Sequence, residues 1–177
     1  KLETLTRTDG GTLHIGVSTT LCKYLLLPYL SAFIREHPQI NIRIRCQSSN
    51  ETLKMLADDA IDIGLVGMPE HKTGFIYENL VEIEDIFVAT STYMSHLPQD
   101  MTSTREILEA STLMLLDKNN MTRQYIDDYL ARNQIQTKDY IEISNMDLLI
   151  EFAKIGVGVA CVIKNFVQEE LADGQLQ

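Results

Sequence analysis

An α/β fold of two lobes, each a mostly parallel sheet flanked by helices with a cleft between the lobes, is predicted by two observations. The first fifty residues carry an alternating strand (Leu13, Ile15, Val17), the polar turn Ser18-Thr19-Thr20, an amphipathic helix and a second alternating strand (Ile40, Ile42, Ile44), the pattern of a βαβ unit. The same order returns later as a short strand Leu113 to Leu116, the polar turn Asn119 to Arg123, a helix through Leu130 and a strand Tyr140 to Ile143. In such units the strand ends and helix N-termini share one edge, so both halves present polar turns there.

In the first helix Leu26, Leu30 and Phe33 recur at helical spacing, and Pro38 lies just beyond its end. Pro28 either kinks this helix or stands in its first turn, with the regular helix beginning near Leu25. On the second strand Arg43 and Arg45 alternate with the isoleucines and share the opposite, solvated face. Ser48-Ser49-Asn50 forms the next polar turn, Asn50 capping a helix that contains Leu53 and Leu56, and Ile61 to Val66 reads as a third, buried strand.

Beyond the loop Gly67 to Gly74, the segments Ile76 to Ile83 and Ile86 to Ala89 read as strands, and the polar stretch Thr90 to Ser103 as the crossing into the second lobe. After Tyr140 to Ile143, the cap Ser144-Asn145 opens a helix with Leu148, Leu149, Phe152 and Ala153 on one face, and Val157 to Ile163 is the next strand. The expected divisions are residues 1–11 as the end of a linker, 12–89 as the first lobe, 90–162 as the second lobe, and 163–177 as a truncated return segment towards the first lobe.

A chain of 177 residues with 45% apolar and 23% charged residues is ordinary for a globular protein. A net charge of −10 argues against this segment embracing a nucleic-acid backbone, which needs clustered Lys and Arg. Cys22, Cys46 and Cys161 are odd in number and widely spaced, which indicates neither a disulfide framework nor a metal site and suits a reducing cytoplasm. Cys46 and Cys161 lie in apolar patterns and are expected to be buried; Cys22 stands beside the polar turn. No apolar run reaches the length of a membrane span, and no signal-peptide core is present. The missing initiator Met and the polar stretch Thr6 to Gly11 fit a piece of a longer protein.

The turn Ser18-Thr19-Thr20 admits two readings: hydroxyls that cap the first helical N–H groups, or hydroxyls that hold an anionic or polar ligand at a helix N-terminus. With two lobes facing each other, Thr122 and Arg123 would face Ser18 and Thr19 across a hydroxyl-lined pocket. Arg123 is then a bidentate clamp for a carboxylate or phosphate; the alternative is an exposed helix residue.

These residues resemble the effector-binding domain of LysR-type transcriptional regulators. The phrases that carry the resemblance are Gly11-Thr12-Leu13-His14-Ile15-Gly16 followed by Ser18-Thr19, Leu26-Leu27-Pro28 with Leu30 and Phe33, Pro38-Gln39-Ile40, Ile61-Asp62-Ile63-Gly64, Thr122-Arg123 and Gly156-Val157-Gly158-Val159-Ala160. They span nearly the whole chain in the family's order. The resemblance implies a two-lobed fold similar to periplasmic solute-binding proteins, with a small-molecule inducer between the lobes. Its inducer-contacting positions match Ser18, Thr19, Thr20, Ser49, Asn50, Thr122 and Arg123, with Val66, Gly67 and Asn145 lining the cleft. It also implies a homodimer or homotetramer, and DNA binding through an N-terminal helix-turn-helix that this chain does not contain. Two positions depart from the family: Asp59 stands where a glycine is usual, and Val162-Ile163 where Leu-Pro is common.

Other classes fit less well. Gly16-Val17-Ser18-Thr19-Thr20 begins like a serine hydrolase elbow but ends in Thr, and no pattern pairs His14, His37, His71 or His96 with Ser18. Gly156-Val157-Gly158 follows a helix and opens a strand, the reverse of a dinucleotide loop. The four histidines and three cysteines show no ligand spacing, so no metal and no cofactor is expected, and no enzymatic activity. The solute-binding protein of a transporter shares the two-lobed logic and is the alternative function.

Overall fold

A computed structural model of the chain describes residues 10–69 and 74–177. The linker assigned to residues 1–11 lies outside the described residues up to residue 9, as does the loop position of His71. The chain divides into two compact units, the first ending at Tyr77 and the second running from Glu78 to Gln177. Both are α/β, as the alternation of periodicities predicts.

The first unit is built on three parallel strands in the order β2-β1-β3. β1 (Thr12–Val17) is central, with β2 (Asn41–Cys46) beside it in the register Thr12↔Asn41 to Val17↔Cys46, and β3 (Ile63–Leu65) on the other side. Ile15 and Val17 are buried, whereas the edge strand β2 is only half covered. Cys46, expected in the core, is exposed because it ends that edge strand; Cys161 is buried as expected.

The first helical run resolves the question of Pro28. A short α1 (Thr19–Leu21) passes into a π-helical stretch over Cys22–Leu26, where the Leu27 N–H bonds the Cys22 carbonyl, and a regular α2 (Leu27–Glu36) follows. Pro28 thus stands in the first turn of α2, where its missing N–H removes little. α3 (Ser49–Ala57) comes close to the sheet: a Cβ on Gly16 or on Gly64 would lie 2.9 Å from the Thr52 methyl. Glycine at these paired positions therefore permits the approach of helix to sheet. Asp59, which takes the family's glycine position, has φ +52, a left-handed conformation that explains why glycine is usual there and which aspartate tolerates better than most residues.

Residues 76–83, read from sequence as strand, make no ladder among the described residues. Ile76 is 95% exposed, so the apolar pattern there is not buried against a neighbouring strand. The strand expected at Ile86 to Ala89 is β4 (Asp85–Val88), and it belongs to the second unit, pairing antiparallel with β7 (Val159–Ile163) from Asp85↔Ile163 to Val88↔Ala160. The stretch Thr90 to Ser103 is likewise part of the second unit. It contains α4 (Ser91–Ser95), whose Tyr93 hydroxyl accepts the Thr112 N–H at 2.8 Å. A further helix, α5 (Thr104–Ala110), was not read from the sequence; its signal is the capping box Ser103-x-x-Glu106.

The remaining strands, β5 (Leu113–Leu116) and β6 (Tyr140–Ile143), complete a sheet in the order β4-β7-β5-β6, parallel except for β4. β5 is buried along its whole length, as a strand covered on both faces should be. α6 (Met121–Arg132) and α7 (Met146–Lys154) follow β5 and β6. The buried face of α7 is Met146, Leu149, Ile150 and Ala153, so Leu148 and Phe152, expected on it, lie outside. After β7 a single 3₁₀ turn (Lys164–Phe166) leads to α8 (Gln168–Ala172). The segment 163–177, expected to return to the first lobe, packs in the second unit: Gln177 and Ala89 exchange both backbone hydrogen bonds, at 3.0 and 3.2 Å.

Asp85 enters this sheet with one carboxylate oxygen buried and unpartnered among the described residues, and burial pushes its pKa up to about 6. A raised carboxyl pKa makes a stabilising contribution that is present below the ordinary value of 3.8 and is lost as pH rises through about 6. Thermal melts between these pH values should therefore show wild type losing stability relative to Asp85→Asn; parallel pH curves would count against a buried, uncompensated charge.

Candidate functional site

Three parallel strands in the first unit end at one edge, and the turns that follow them hold most of the sequence-derived site residues. Ser18 follows β1 with extended backbone (φ −72, ψ 152), and its Oγ accepts the Leu21 N–H at 3.2 Å. This is helix capping, the plainer of the two readings. Thr19 is exposed and Thr20 half-buried beside it.

After β2 the cap is Ser48 rather than Asn50: the Ser48 Oγ accepts the Glu51 N–H at 3.2 Å. Asn50 is exposed one residue into α3. Ser49, the first helical residue, instead reaches sideways, its Oγ accepting the Gly67 N–H at 3.2 Å. That bond ties the turn after β2 to the turn after β3, where Val66 and Gly67 are half-buried. The structure thus brings Ser18, Thr19, Thr20, Ser49, Asn50, Val66 and Gly67 to one end of one sheet. Gln47, not singled out in the sequence, joins them: its N–H bonds the Val17 carbonyl at 3.0 Å and its side-chain amide reaches the Met55 sulfur at 3.0 Å.

In the second unit Asn120 caps α6 by accepting the Thr122 N–H at 2.9 Å, and Asn145 caps α7 by accepting the Leu148 N–H at 2.9 Å. Thr122 is half-buried and Asn145 exposed, both at C-terminal ends of parallel strands.

Arg123 fits neither expectation. It is not an exposed helix residue, since its side chain is 4% exposed, and its guanidinium is committed within the unit. Nε donates to Asp127 at 2.8 Å, Nη1 to the Leu116 carbonyl at 2.8 Å and to Glu142 at 3.4 Å, and the group lies 4.9 Å above the Tyr140 ring. Burial alone lowers its pKa, but hydrogen bonds to Asp127 and Tyr140 outweigh it and leave the pKa raised. The fork grips the end of β5 from α6 and is a structural tie.

The Ser18 hydroxyl, whose oxygen caps Leu21, follows directly on β1. His14, four residues back on β1, is bonded through Nδ1 to Asp62 at 3.2 Å, and the same carboxylate accepts the His14 N–H at 2.7 Å. These bonds hold the Asp62 pKa below its ordinary range. Gly156, in the glycine pair set against a dinucleotide loop, has φ +75 and closes α7 by bonding the Ala153 carbonyl, a turn role. Cys161 is held well above the usual thiol range by burial and then by Asp85, which suits an inert core thiol. Among the described residues no group of three or more His, Cys, Asp or Glu could hold a metal ion, and no helix is long and apolar enough to cross a membrane.

Comparison with known proteins gives this geometry a context. The family described as LysR substrate binding domain matches residues 6–177. An uncharacterized HTH-type transcriptional regulator, YeiE of Escherichia coli K12, is 25% identical over 177 residues, covering 99% of this chain and 59% of that protein. A probable RuBisCO transcriptional regulator of Thalassiosira pseudonana is 27% identical over 169 residues, covering 92% and 55%. The chain therefore spans between half and three-fifths of the length of these curated relatives. Among solved structures, the regulatory domain of Synechocystis PCC6803 CcmR in complex with 2-PG superposes with TM-score 0.79 at 17% identity, over 94% of this chain and 79% of that one. The effector binding domain of QuiR in complex with shikimate does so with TM-score 0.75 at 13% identity, over 95% and 79%. At such identities these two show a shared fold.

Proposed function

The chain belongs to the LysR substrate binding domain family, and on that premise we propose that it is the effector-sensing part of a longer transcription factor, binding a small polar, anionic molecule at its strand-end turns. The observation that supports this reading is the convergence of Ser18–Thr20, Ser49–Asn50 and Val66–Gly67 at one sheet edge, with Ser49 bonded across to Gly67. Thr122 and Asn145 stand at the corresponding edge of the second unit's parallel strands and are proposed as further contacts. Two structural neighbours were solved with small effectors, 2-PG and shikimate, and the relatives named above are regulators rather than transporter components.

In this reading the chain performs no catalysis. Effector binding shifts the population of its conformers, and through a homodimer or homotetramer alters the spacing of DNA-binding heads supplied by another part of the protein. DNA contact belongs to those heads, since a net charge of −10 repels a phosphate backbone. The site of action is the cytoplasm.

Arg123 is not carried forward as the anion clamp. Backbone N–H groups at the start of α3, the helix dipole and the hydroxyls supply the attraction instead. A thermal-shift panel of carboxylates, amino acids and sugar phosphates tests this. At least one compound should stabilise wild type, and Thr19→Ala or Ser49→Ala should weaken its binding by about 1 kcal/mol, roughly five-fold in Kd. Equal binding by both variants would remove these hydroxyls from the site.

A further inference from the structure

Two of the three thiols meet at the edge of the first sheet. Cys46 is the last residue of β2, in register with Val17 on the neighbouring strand, so these two backbones run side by side about 4.8 Å apart. β1 ends at Val17. Ser18 turns the chain, and the Cys22 N–H bonds the Ser18 carbonyl at 2.8 Å, so Cys22 stands one helical turn above the strand end. The Gln47 N–H bonds the Val17 carbonyl at 3.0 Å and pins the chain after Cys46 to the same place. The side chains complete the meeting: the Cys22 thiol donates to the Cys46 sulfur, and burial first, then that neighbour, holds Cys22 above the usual thiol range. Cys46 is exposed and Cys22 half-buried, whereas Cys161 is enclosed in the second unit.

We propose that Cys22 and Cys46 form an oxidisable dithiol, closed to an intramolecular disulfide by a hydroperoxide. The exposed Cys46 meets the oxidant first. Its thiolate attacks one peroxide oxygen, the O–O bond breaks, and the leaving oxygen departs as water or alcohol after taking a proton, leaving a sulfenic acid on Cys46. The Cys22 sulfur then attacks that sulfur; the S–S bond forms, the S–O bond breaks, and the hydroxide leaves as water with the Cys22 proton. Two thiols and one peroxide give one disulfide, the sulfurs losing the two electrons that the peroxide gains. Access and proximity set the order, since a half-buried thiol with a raised pKa is a slow first nucleophile and serves better as the resolving partner.

The chemistry needs only the two thiols and does not rest on effector binding. Its consequence is mechanical: the disulfide tethers the turn that carries Ser18–Thr20 to the chain segment that carries Ser48–Asn50.

The test is hydrogen peroxide added to the reduced chain, followed by alkylation under denaturing conditions, intact mass and a non-reducing peptide map. Alkylatable thiols should fall from three to one, with the Cys22 peptide joined to the Cys46 peptide and Cys161 free, and dithiothreitol should restore all three. In Cys22→Ser, a dimedone adduct should appear at Cys46 in place of the cross-link. The proposal is overturned if wild type gives Cys46 sulfinic acid with Cys22 still alkylatable, a Cys46–Cys46 link between copies, or no loss of either thiol. The wild-type map alone decides among these outcomes, so the conclusion survives any misfolding of the variant.

Discussion

Arg123→Ala is expected to destabilise the second unit by about 2–3 kcal/mol, lowering the midpoint of thermal unfolding by roughly 5–10 °C. The side chain is 4% exposed, and its Nη1 is the donor to the Leu116 carbonyl at the end of β5. Alanine leaves that carbonyl without this donor and leaves Asp127 and Glu142 without their shared cation. Both carboxylates are nearly half exposed, which keeps the loss below that of a fully buried pair. Arg123→Lys retains the charge but not the planar fork, and should recover only part of the stability. Thermal melts check the first expectation, and effector titration below the melting range checks the second: binding should be unchanged. A variant of wild-type stability that no longer binds would return Arg123 to the effector.

Leu149→Ala is expected to cost about 3 kcal/mol or more, because its side chain is fully buried and its removal opens a cavity that the surrounding sheet cannot fill. Phe152, on the same helix and larger, is 38% exposed, and Phe152→Ala should cost about 1 kcal/mol or less. Denaturant unfolding of the two variants decides which face of α7 packs. If Phe152→Ala were the more damaging, the helix would be rotated from the orientation described.

This rotation shows where sequence reading runs out. Leu148, Leu149, Phe152 and Ala153 share helical spacing, but so do Met146, Leu149, Ile150 and Ala153, and only the packed sheet chooses between two overlapping apolar stripes. β5 and β6 were legible residue for residue because a run such as Leu113-Met114-Leu115-Leu116, bounded by polar turns, has few other stable states. Ile76 to Ile83 carries the same local signal and makes no ladder among the described residues, since a strand needs a partner that periodicity does not name. β4 is legible as a strand, but not the sheet it joins, since its partner β7 lies over seventy residues away in the chain.

Site residues divide along similar lines. The hydroxyl-bearing turns were legible as caps at strand ends, because capping chemistry is local. The tie from Ser49 to Gly67 was not, since it joins turns after different strands. Arg123 was legible as a cation beside a polar turn, but its direction depends on Asp127, Glu142 and the Leu116 carbonyl, which the fold brings around it. Cys46 was misplaced because an apolar strand pattern does not reveal that the strand is an edge.

The central claim is that the strand-end turns of the first unit hold the effector. Amide chemical-shift mapping on the isotopically labelled chain, titrated with the compound that gives the largest thermal shift, tests it most directly. The expected result is saturable perturbation centred on Ser18–Thr20, Ser49–Asn50 and Gly67. Saturable shifts that leave these residues unmoved, and cluster instead on β4, β7 or α8, would contradict it.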